Sequence, residues 1–332
     1  MRRREFIASL IGTAVAWPLA ASAQIKLWRI GWLDPGPPPE PGRPDDDLET
    51  FRKALSELGY VEHRNYVIES HFADTDWDRL PMLAKDLVDR GVDVIVTIGT
   101  PTDAAAKAAT TTIPIVMAGS EYPIEDGLVA SLARPGGNVT GVTHSPGPEF
   151  AGKCLQLLKE AASSIANVAV LWDSGALNQG ISLDAQQAIA RNLQLALLPI
   201  DVTGVKSADD FRSILFKIGE EHVDALFIFP SVVNEKHSQA IVDFATARRL
   251  PSMFQTHSIV RNGGLLSYYT DWNSLRRRAA TYVDKILKGA RPADLPVEQP
   301  SKLKLVINLK TAKVLGITIP PSIMVRADEV IE

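Results

Sequence analysis

The chain has 332 residues, a single cysteine and a formal net charge of -4, from 35 basic and 39 acidic side chains. This balance gives no general attraction to nucleic acid or to anionic membranes, so we expect neither as a partner. The lone Cys154 excludes an internal disulfide framework. About 300 residues beyond the N-terminal segment are more than one hydrophobic core usually serves, which predicts two lobes.

The N-terminus has the order of a secretory signal peptide. Arginines at positions 2–4 precede an apolar stretch too short for a membrane span, and Ala21-Ser22-Ala23 offers a small-residue cleavage site. We therefore expect a signal peptide over residues 1–23 and a periplasmic protein that begins near Gln24. The paired arginines fit twin-arginine export, and ordinary secretion remains an alternative. Cys154 lies too far from this segment to carry a lipid, so we do not expect a lipoprotein.

In the first half of the chain, short aliphatic runs alternate with longer amphipathic stretches, the pattern of βαβ units around a parallel sheet. Gly59 and Gly91 follow two of the amphipathic stretches, where a helix is closed most readily. The pattern predicts strands over 29–33, 67–72, 92–98, 115–117 and 141–143, and helices over 47–58, 80–90 and 104–109.

After Thr143 the same order starts again. Residues from Val92 onward align without gaps with residues from Val223 onward, and 29–34 resembles 167–173. This predicts two similar open sheets, although buried strands also resemble each other by composition alone. The second half is predicted to contain strands over 168–172, 196–200 and 225–229, and helices over 149–162, 183–193, 209–220 and 273–288.

Ligands of such sheets collect where the strands end, among loops and helix N-termini. Residues 97–103 form a strand end followed by a helix start, with Pro101 suited to the first turn. Free amides and hydroxyls there would favour an anion, such as a ligand carboxylate, without a charged side chain. The alternative is that the two threonines only cap their own helix and that the next glycine only makes a turn. The candidates in the first half are Leu33, Asp34, Gly99, Thr100, Thr102, Gly119 and Ser120.

The second half offers aromatic surface, a hydroxyl and two carboxylates at equivalent places. Asp173 or Asp271 would suit a ligand ammonium. Aromatic residues in strands usually pack inward, so a core role is the alternative for the two aromatic candidates. The candidates here are Trp172, Asp173, Ser231, Tyr268 and Asp271.

Several longer segments resemble the ABC transporter substrate-binding protein family related to tryptophan and tyrosine uptake proteins. The resemblance covers essentially the whole chain after the signal segment. It implies a type I periplasmic-binding-protein fold, with two Rossmann-like α/β lobes joined by a three-crossing hinge. The segments that carry it are 127–141, 263–268, 277–289, 292–300, 305–313 and 319–321.

The resemblance also implies a monomer that closes on a small solute and docks on an inner-membrane permease. The solute would be an amino acid or a related small or aromatic carboxylate. Relatives often carry Asn-Pro where this chain has Asp173-Ser174, and a Gly-Asp-Pro-like stretch where it has 119–123, so the ligand itself stays open. The implied lobes are 27–143 plus 269–298 and 144–268 plus 299–332, with crossings near Thr143, Tyr268 and Gln299.

An enzyme is the first alternative, because Rossmann-like sheets also serve dehydrogenases and glycosyltransferases. The first strand turn, residues 32–39, has neither a G-x-G-x-x-G motif nor a P-loop. The six histidines form no close metal-ligand pair, although His144 and His257 could approach the cleft. We therefore predict no catalysis, no cofactor and no metal. A ligand sensor that reports to a receptor is the second alternative and would use the same binding residues.

Overall fold

The computed structural model describes residues 26–39, 46–147, 149–174 and 179–332. The predicted signal peptide, 1–23, lies outside these residues. Within them, no helix combines the length and the apolar character needed to cross a membrane.

The first sheet is built from the N-terminal part of the chain. Its five strands are all parallel and lie in the order β2-β1-β3-β4-β5. Gly59 and Gly91 both have positive φ just after helices, as the closing positions require. The elements are β1 Trp28–Asp34, α1 Asp46–Glu57, β2 Tyr66–Phe72, α2 Leu80–Asp89, β3 Val94–Thr97, α3 Thr100–Ala109, β4 Ile115–Ser120 and β5 Val139–Thr143.

The second sheet has seven strands in the order β12-β11-β10-β9-β8-β6-β7. Among the strands that the structure describes, only β10 and β11 run antiparallel to each other. Its first elements are α4 Glu149–Ala161, β6 Asn167–Trp172, α5 Gln179–Asn192, β7 Ala196–Asp201, α6 Ala208–Glu220, β8 Ala225–Ile228, α7 Val232–Lys236, α8 Ser238–Ala247, β9 Ser252–Phe254 and α9 His257–Arg261. The remaining elements are β10 Leu266–Thr270, α10 Trp272–Leu287, β11 Leu303–Asn308, α11 Leu309–Leu315, α12 Pro321–Met324 and β12 Glu329–Ile331.

Both sheets are covered on both faces. In β3, Val94 and Val96 belong to one hydrophobic cluster while Ile95 belongs to another. Val170 and Leu171 of β6 divide between two clusters in the same way. Because neighbouring residues of a strand point to opposite faces, this alternation makes each lobe a sheet between two helical layers.

Helix α10 follows β10 of the second sheet but packs against the first. Its buried Leu275, Ala279 and Tyr282 share a hydrophobic cluster with Phe51 of α1. The prediction that this helix returns to the first lobe rested on family resemblance. Strand β10 continues to Thr270. Residues 269 and 270 therefore belong to the second sheet, whereas the predicted boundary placed them in the first lobe.

The chain passes between the lobes at three crossing segments, residues 143–147, 270–272 and 298–302. Hydrogen bonds tie them side by side. The Thr143 N–H donates to the Glu298 carbonyl at 2.9 Å, and the Thr270 hydroxyl donates to the His144 carbonyl at 2.7 Å. The Asp271 N–H donates to the Lys302 carbonyl at 3.1 Å. The crossing segments therefore form one bonded unit between the two sheets.

Candidate ligand-binding site

A cavity of ≈ 400 Å³ lies between the lobes, beside the crossing segments. Its walls follow the ends of β4 in the first lobe and of β8 and β9 in the second, as expected of open α/β sheets. The volume falls in the range of small-molecule sites. The lining residues are Glu121, Tyr122, His144, Ser145, Pro146, Gly147, Phe150, Ala151, Phe229, Pro230, Glu235, Gln255, Thr256, Thr270 and Trp272.

Aromatic rings form much of this wall. Phe150 of α4 stacks on Tyr268 with ring centroids 5.4 Å apart, so one ring borders the cavity and the other supports it. His144 and Trp272 approach each other at 5.0 Å between centroids. Trp272 keeps 37% of its surface exposed. The cavity therefore offers flat apolar surface from both the crossing segments and the second lobe, which suits a ring-bearing ligand.

The polar groups of the wall are mainly acidic or neutral. Glu121 and Glu235 are its carboxylates, and the part of the chain that the structure describes contributes neither lysine nor arginine to the lining. His144 Nδ1 lies 3.0 Å from the Gly119 carbonyl oxygen. Because a carbonyl can only accept a hydrogen bond, Nδ1 carries the proton. Burial lowers the pKa of His144, against the opposing effect of that hydrogen bond, so the ring is neutral near pH 7.

Two polar side chains on opposite lobes are placed to meet a ligand. Burial raises the pKa of Glu121 to about 7, and the nearby charge of Asp126 adds to this effect. Thr256, at the end of β9, has a buried hydroxyl that makes no hydrogen bond to any described residue. A buried hydroxyl without a partner costs free energy, so a ligand group that bonded it would gain that energy back.

The buried Arg276 supports the cavity wall without lining it. Its guanidinium lies over the Trp272 ring, 5.3 Å from the centroid. It also donates to the Ala118 carbonyl and, at 2.8 Å, to the Asp47 carboxylate. These contacts fix the first turn of α10 against β4. Because the Arg276 charge is paired with Asp47, we do not expect this guanidinium to bind a ligand.

Three first-lobe candidates lie close to this wall without forming it. Ser120 precedes Glu121 and is completely buried. The Thr100 hydroxyl accepts the Glu121 N–H at 3.3 Å, so it orients a lining residue. At Gly119, φ is +123°, and a Cβ atom would stand 3.0 Å from the Trp272 ring, so glycine permits this close approach.

The remaining first-lobe candidates lie further back. Leu33 is completely buried, and the Asp34 carboxylate accepts the Gly36 N–H at 2.8 Å. The Thr102 hydroxyl, also buried, donates to the Gly99 carbonyl at 2.8 Å, an interaction within its own helix start. The structure therefore shows the local bonding that was the alternative for Thr102, and contact with ligand remains only a prediction for this group.

The second-lobe candidates do not line the cavity either. Tyr268 lies under Phe150, and Trp172 packs against the adjoining core cluster. Asp173 accepts the Thr203 hydroxyl at 2.7 Å. Ser231 caps α7, and Asp271 pairs with Lys304 at 3.4 Å immediately before Trp272. None of the five lines the cavity in this structure, so their ligand roles remain predictions.

The lining comes mainly from the ends of β4, β8 and β9 and from the crossing segments, whereas the candidates from the sequence also lie at the ends of β1, β3, β6 and β10, and none of the twelve lines the cavity. Three of the lining residues stand next to a candidate: Glu121 follows Ser120, Trp272 follows Asp271, and Pro230 precedes Ser231. Of the two histidines singled out, His144 lines the cavity, while the side chain of His257 is outside the described part. The residues with no local signal at all were Phe150, Gln255 and Thr256.

Two α/β lobes, three crossing segments and a cavity at the hinge define the class, a binding protein with the type I periplasmic-binding-protein fold. The profile of the family described as "ABC transporter substrate binding protein" matches residues 43–331. The chain belongs to this family, which confirms the resemblance and the predicted fold class.

Similar proteins with known ligands or structures agree with this assignment. A curated "Tyrosine-binding protein" of Clostridioides difficile (strain R20291) is 26% identical over 271 residues, covering 82% of this chain and 76% of that protein. An ABC domain from Streptococcus pneumonia, solved in complex with L-Trp, is 28% identical with a TM-score of 0.79, covering 92% of this chain and 100% of that one. A conserved domain protein from Vibrio cholerae gives 27% identity and a TM-score of 0.77, with 92% and 100% covered.

Proposed function

We propose that this protein captures a small solute outside the cytoplasm and delivers it to a membrane permease of an ABC importer. The observation that carries the proposal is the hinge cavity, whose walls come from both lobes and from the crossing segments. Membership of the substrate-binding family supports the same role. The signal-like residues 1–23 support export. The protein binds and releases its solute unchanged.

Closure of the lobes is the proposed mechanism. A ligand that touches Glu121 and Tyr122 on one side and Thr256 on the other gains contacts from both lobes only when they approach. Such a ligand binds the closed state more tightly than the open one and shifts the hinge equilibrium toward it. The bonded crossing segments act as the hinge, and the closed form is the one presented to the permease.

The proposed ligand is an amino acid with an aromatic side chain, or a closely related small aromatic compound. The stacked rings at Phe150 and Trp272 provide apolar faces for such a side chain. Thr256 offers a hydroxyl for a ligand carboxylate. The tryptophan complex of one relative and the name of another, a tyrosine-binding protein, support the same ligand class.

A ligand screen by thermal shift tests this function. The protein from Gln24 onward is melted with amino acids, aromatic amines, aromatic acids, sugars and nucleosides. A ligand at 100 times its dissociation constant adds about 2.7 kcal/mol of stability, so a true ligand gives a clear rise in Tm. Mass spectrometry of the recovered ligand then shows whether it is unchanged.

Two matched variants locate the binding event. Phe150→Ala removes one ring of the cavity wall, and we expect binding to weaken by about 1.5–3 kcal/mol, the value of a buried aromatic side chain. Phe216→Ala removes a ring that is 64% exposed on α6 and should leave binding unchanged. Equal affinity in the two variants would contradict the location of the site, and no rise in Tm with any compound would contradict the proposed function.

A further inference from the structure

The charged side chains that line the ligand cavity in the described part of the chain are acidic. Among the described residues, the lining contains two carboxylates, Glu121 and Glu235, and neither lysine nor arginine. The nearby guanidinium of Arg276 is paired with Asp47 and bonded to a main-chain carbonyl. The lining ring of His144 is neutral near pH 7. A ligand whose only charge is a carboxylate would therefore enter a wall that repels it, whereas a positive group would be attracted.

Glu121 is the carboxylate best placed to receive that positive group. It follows β4 directly, and its main-chain N–H is held by the Thr100 hydroxyl. The side chain is partly buried and has neither a hydrogen bond nor an ion pair with any described residue. A partly buried carboxylate without a cation loses hydration and gains nothing in return. A bound ammonium would supply the missing partner.

The surroundings of Glu121 strengthen this attraction. Asp126 lies close enough for its charge to raise the pKa of both Glu121 and Asp103. Asp103 is completely buried in α3 and accepts the Thr97 hydroxyl at 2.5 Å. Burial brings the pKa of Asp103 to about 7, with Arg276 acting in the opposite direction. Among the described residues, no group of three His, Cys, Asp or Glu side chains could hold a metal.

We propose that Glu121 binds a protonated amine of the ligand and selects amines and zwitterions over simple carboxylates. This inference rests on the proposed function and narrows its ligand class. The amine lies against Glu121 in the first lobe, the ring lies against Phe150 and Trp272, and any further polar group reaches Thr256. Glu121 and Thr256 then hold opposite ends of one molecule, which links recognition of the amine to closure.

A specific pH dependence follows. The amine needs the ionised form of Glu121, whose pKa in the free protein is about 7. Below that value binding must first remove a proton, so affinity falls by up to about tenfold per pH unit. The amines of phenylalanine and phenethylamine titrate above pH 7, so they stay protonated between pH 5 and 7. We therefore expect affinity to rise from pH 5 to pH 7.

The test uses three compounds that share one ring: phenylalanine, 3-phenylpropionate without the amine, and phenethylamine without the carboxylate. Calorimetry at pH 5, 6 and 7 compares the wild type with Glu121→Gln and with Glu125→Gln, an exposed carboxylate outside the cavity wall. We expect the two amines to bind wild type and Glu125→Gln, with 3-phenylpropionate at least tenfold weaker. Glu121→Gln should lose about tenfold or more in affinity for both amines and should lose the pH dependence.

The outcomes separate this inference from the proposed function. If 3-phenylpropionate binds as tightly as phenylalanine, if Glu121→Gln matches Glu125→Gln, or if the screen finds only sugars or other uncharged solutes, the amine inference is wrong while solute capture stands. If no compound of the screen binds, both are wrong. The ligand-free Tm checks folding, and we expect Glu121→Gln to melt at or above the wild type because it removes a desolvated charge.

Discussion

The replacement Arg276→Met tests how the cavity wall is supported. The arginine side chain is 3% exposed, whereas its partner Asp47 is 33% exposed. Breaking a buried ion pair costs about 3–5 kcal/mol when the remaining charge stays buried. Asp47 can recover part of its hydration, so we expect the lower limit, about 3 kcal/mol. The Ala118 carbonyl also loses a donor, and Trp272 loses the cation above its ring.

The assay is thermal unfolding followed by circular dichroism, with Arg277→Met as the matched control. A loss of about 3 kcal/mol in a domain of this size lowers Tm by roughly 6–12 °C. The Arg277 pair with Glu57 is 41% and 54% exposed, so its loss costs about 0–1 kcal/mol. Ligand affinity should also fall in Arg276→Met, because Trp272 is no longer fixed. Equal Tm values for the two variants would refute the reasoning.

Two further predictions concern the sheet and the hinge. Gly141→Ala should lower the free energy of unfolding by about 3 kcal/mol or more, because φ is +131° and the new Cβ would stand 2.2 Å from a carbonyl oxygen of β4. Unfolding in urea measures this loss. The control is Gly137→Ala, whose new Cβ would meet no atom within 4 Å. The bidentate pair with Arg278 holds the pKa of Glu298 below its ordinary value. The pair therefore stabilises the folded protein at a pH above the ordinary glutamate pKa. This stabilisation is lost as the pH falls through the lowered pKa of Glu298. The difference in Tm between wild type and Glu298→Gln should therefore become smaller below pH 4. A difference that stays constant with pH would show that ionised Glu298 does not stabilise the fold.

The fold was predictable because its signals are local. Buried parallel strands such as Val94–Thr97 read as continuous aliphatic runs, and glycines with positive φ stand where helices end. The last four strands of the chain, β9 to β12, were not predicted as strands. The antiparallel partner of β11 is β10, whose residue Leu266 pairs with Ile307 across some forty positions of chain. Neither spacing nor composition within a window of ten residues carries information about that pairing.

The site was only half predictable, and the reason is geometric. Its amide and hydroxyl made Ser120 a candidate, and its carboxylate made Asp271 one, yet the neighbouring Glu121 and Trp272 line the cavity. Successive side chains in extended chain point in opposite directions, so an error of one residue exchanges a lining group for a supporting one. That exchange also reverses the electrostatic conclusion. Amides and hydroxyls alone suggest a site for an anion, whereas the carboxylate of Glu121 at the same strand end is the basis of our proposal that the first-lobe wall binds a cation.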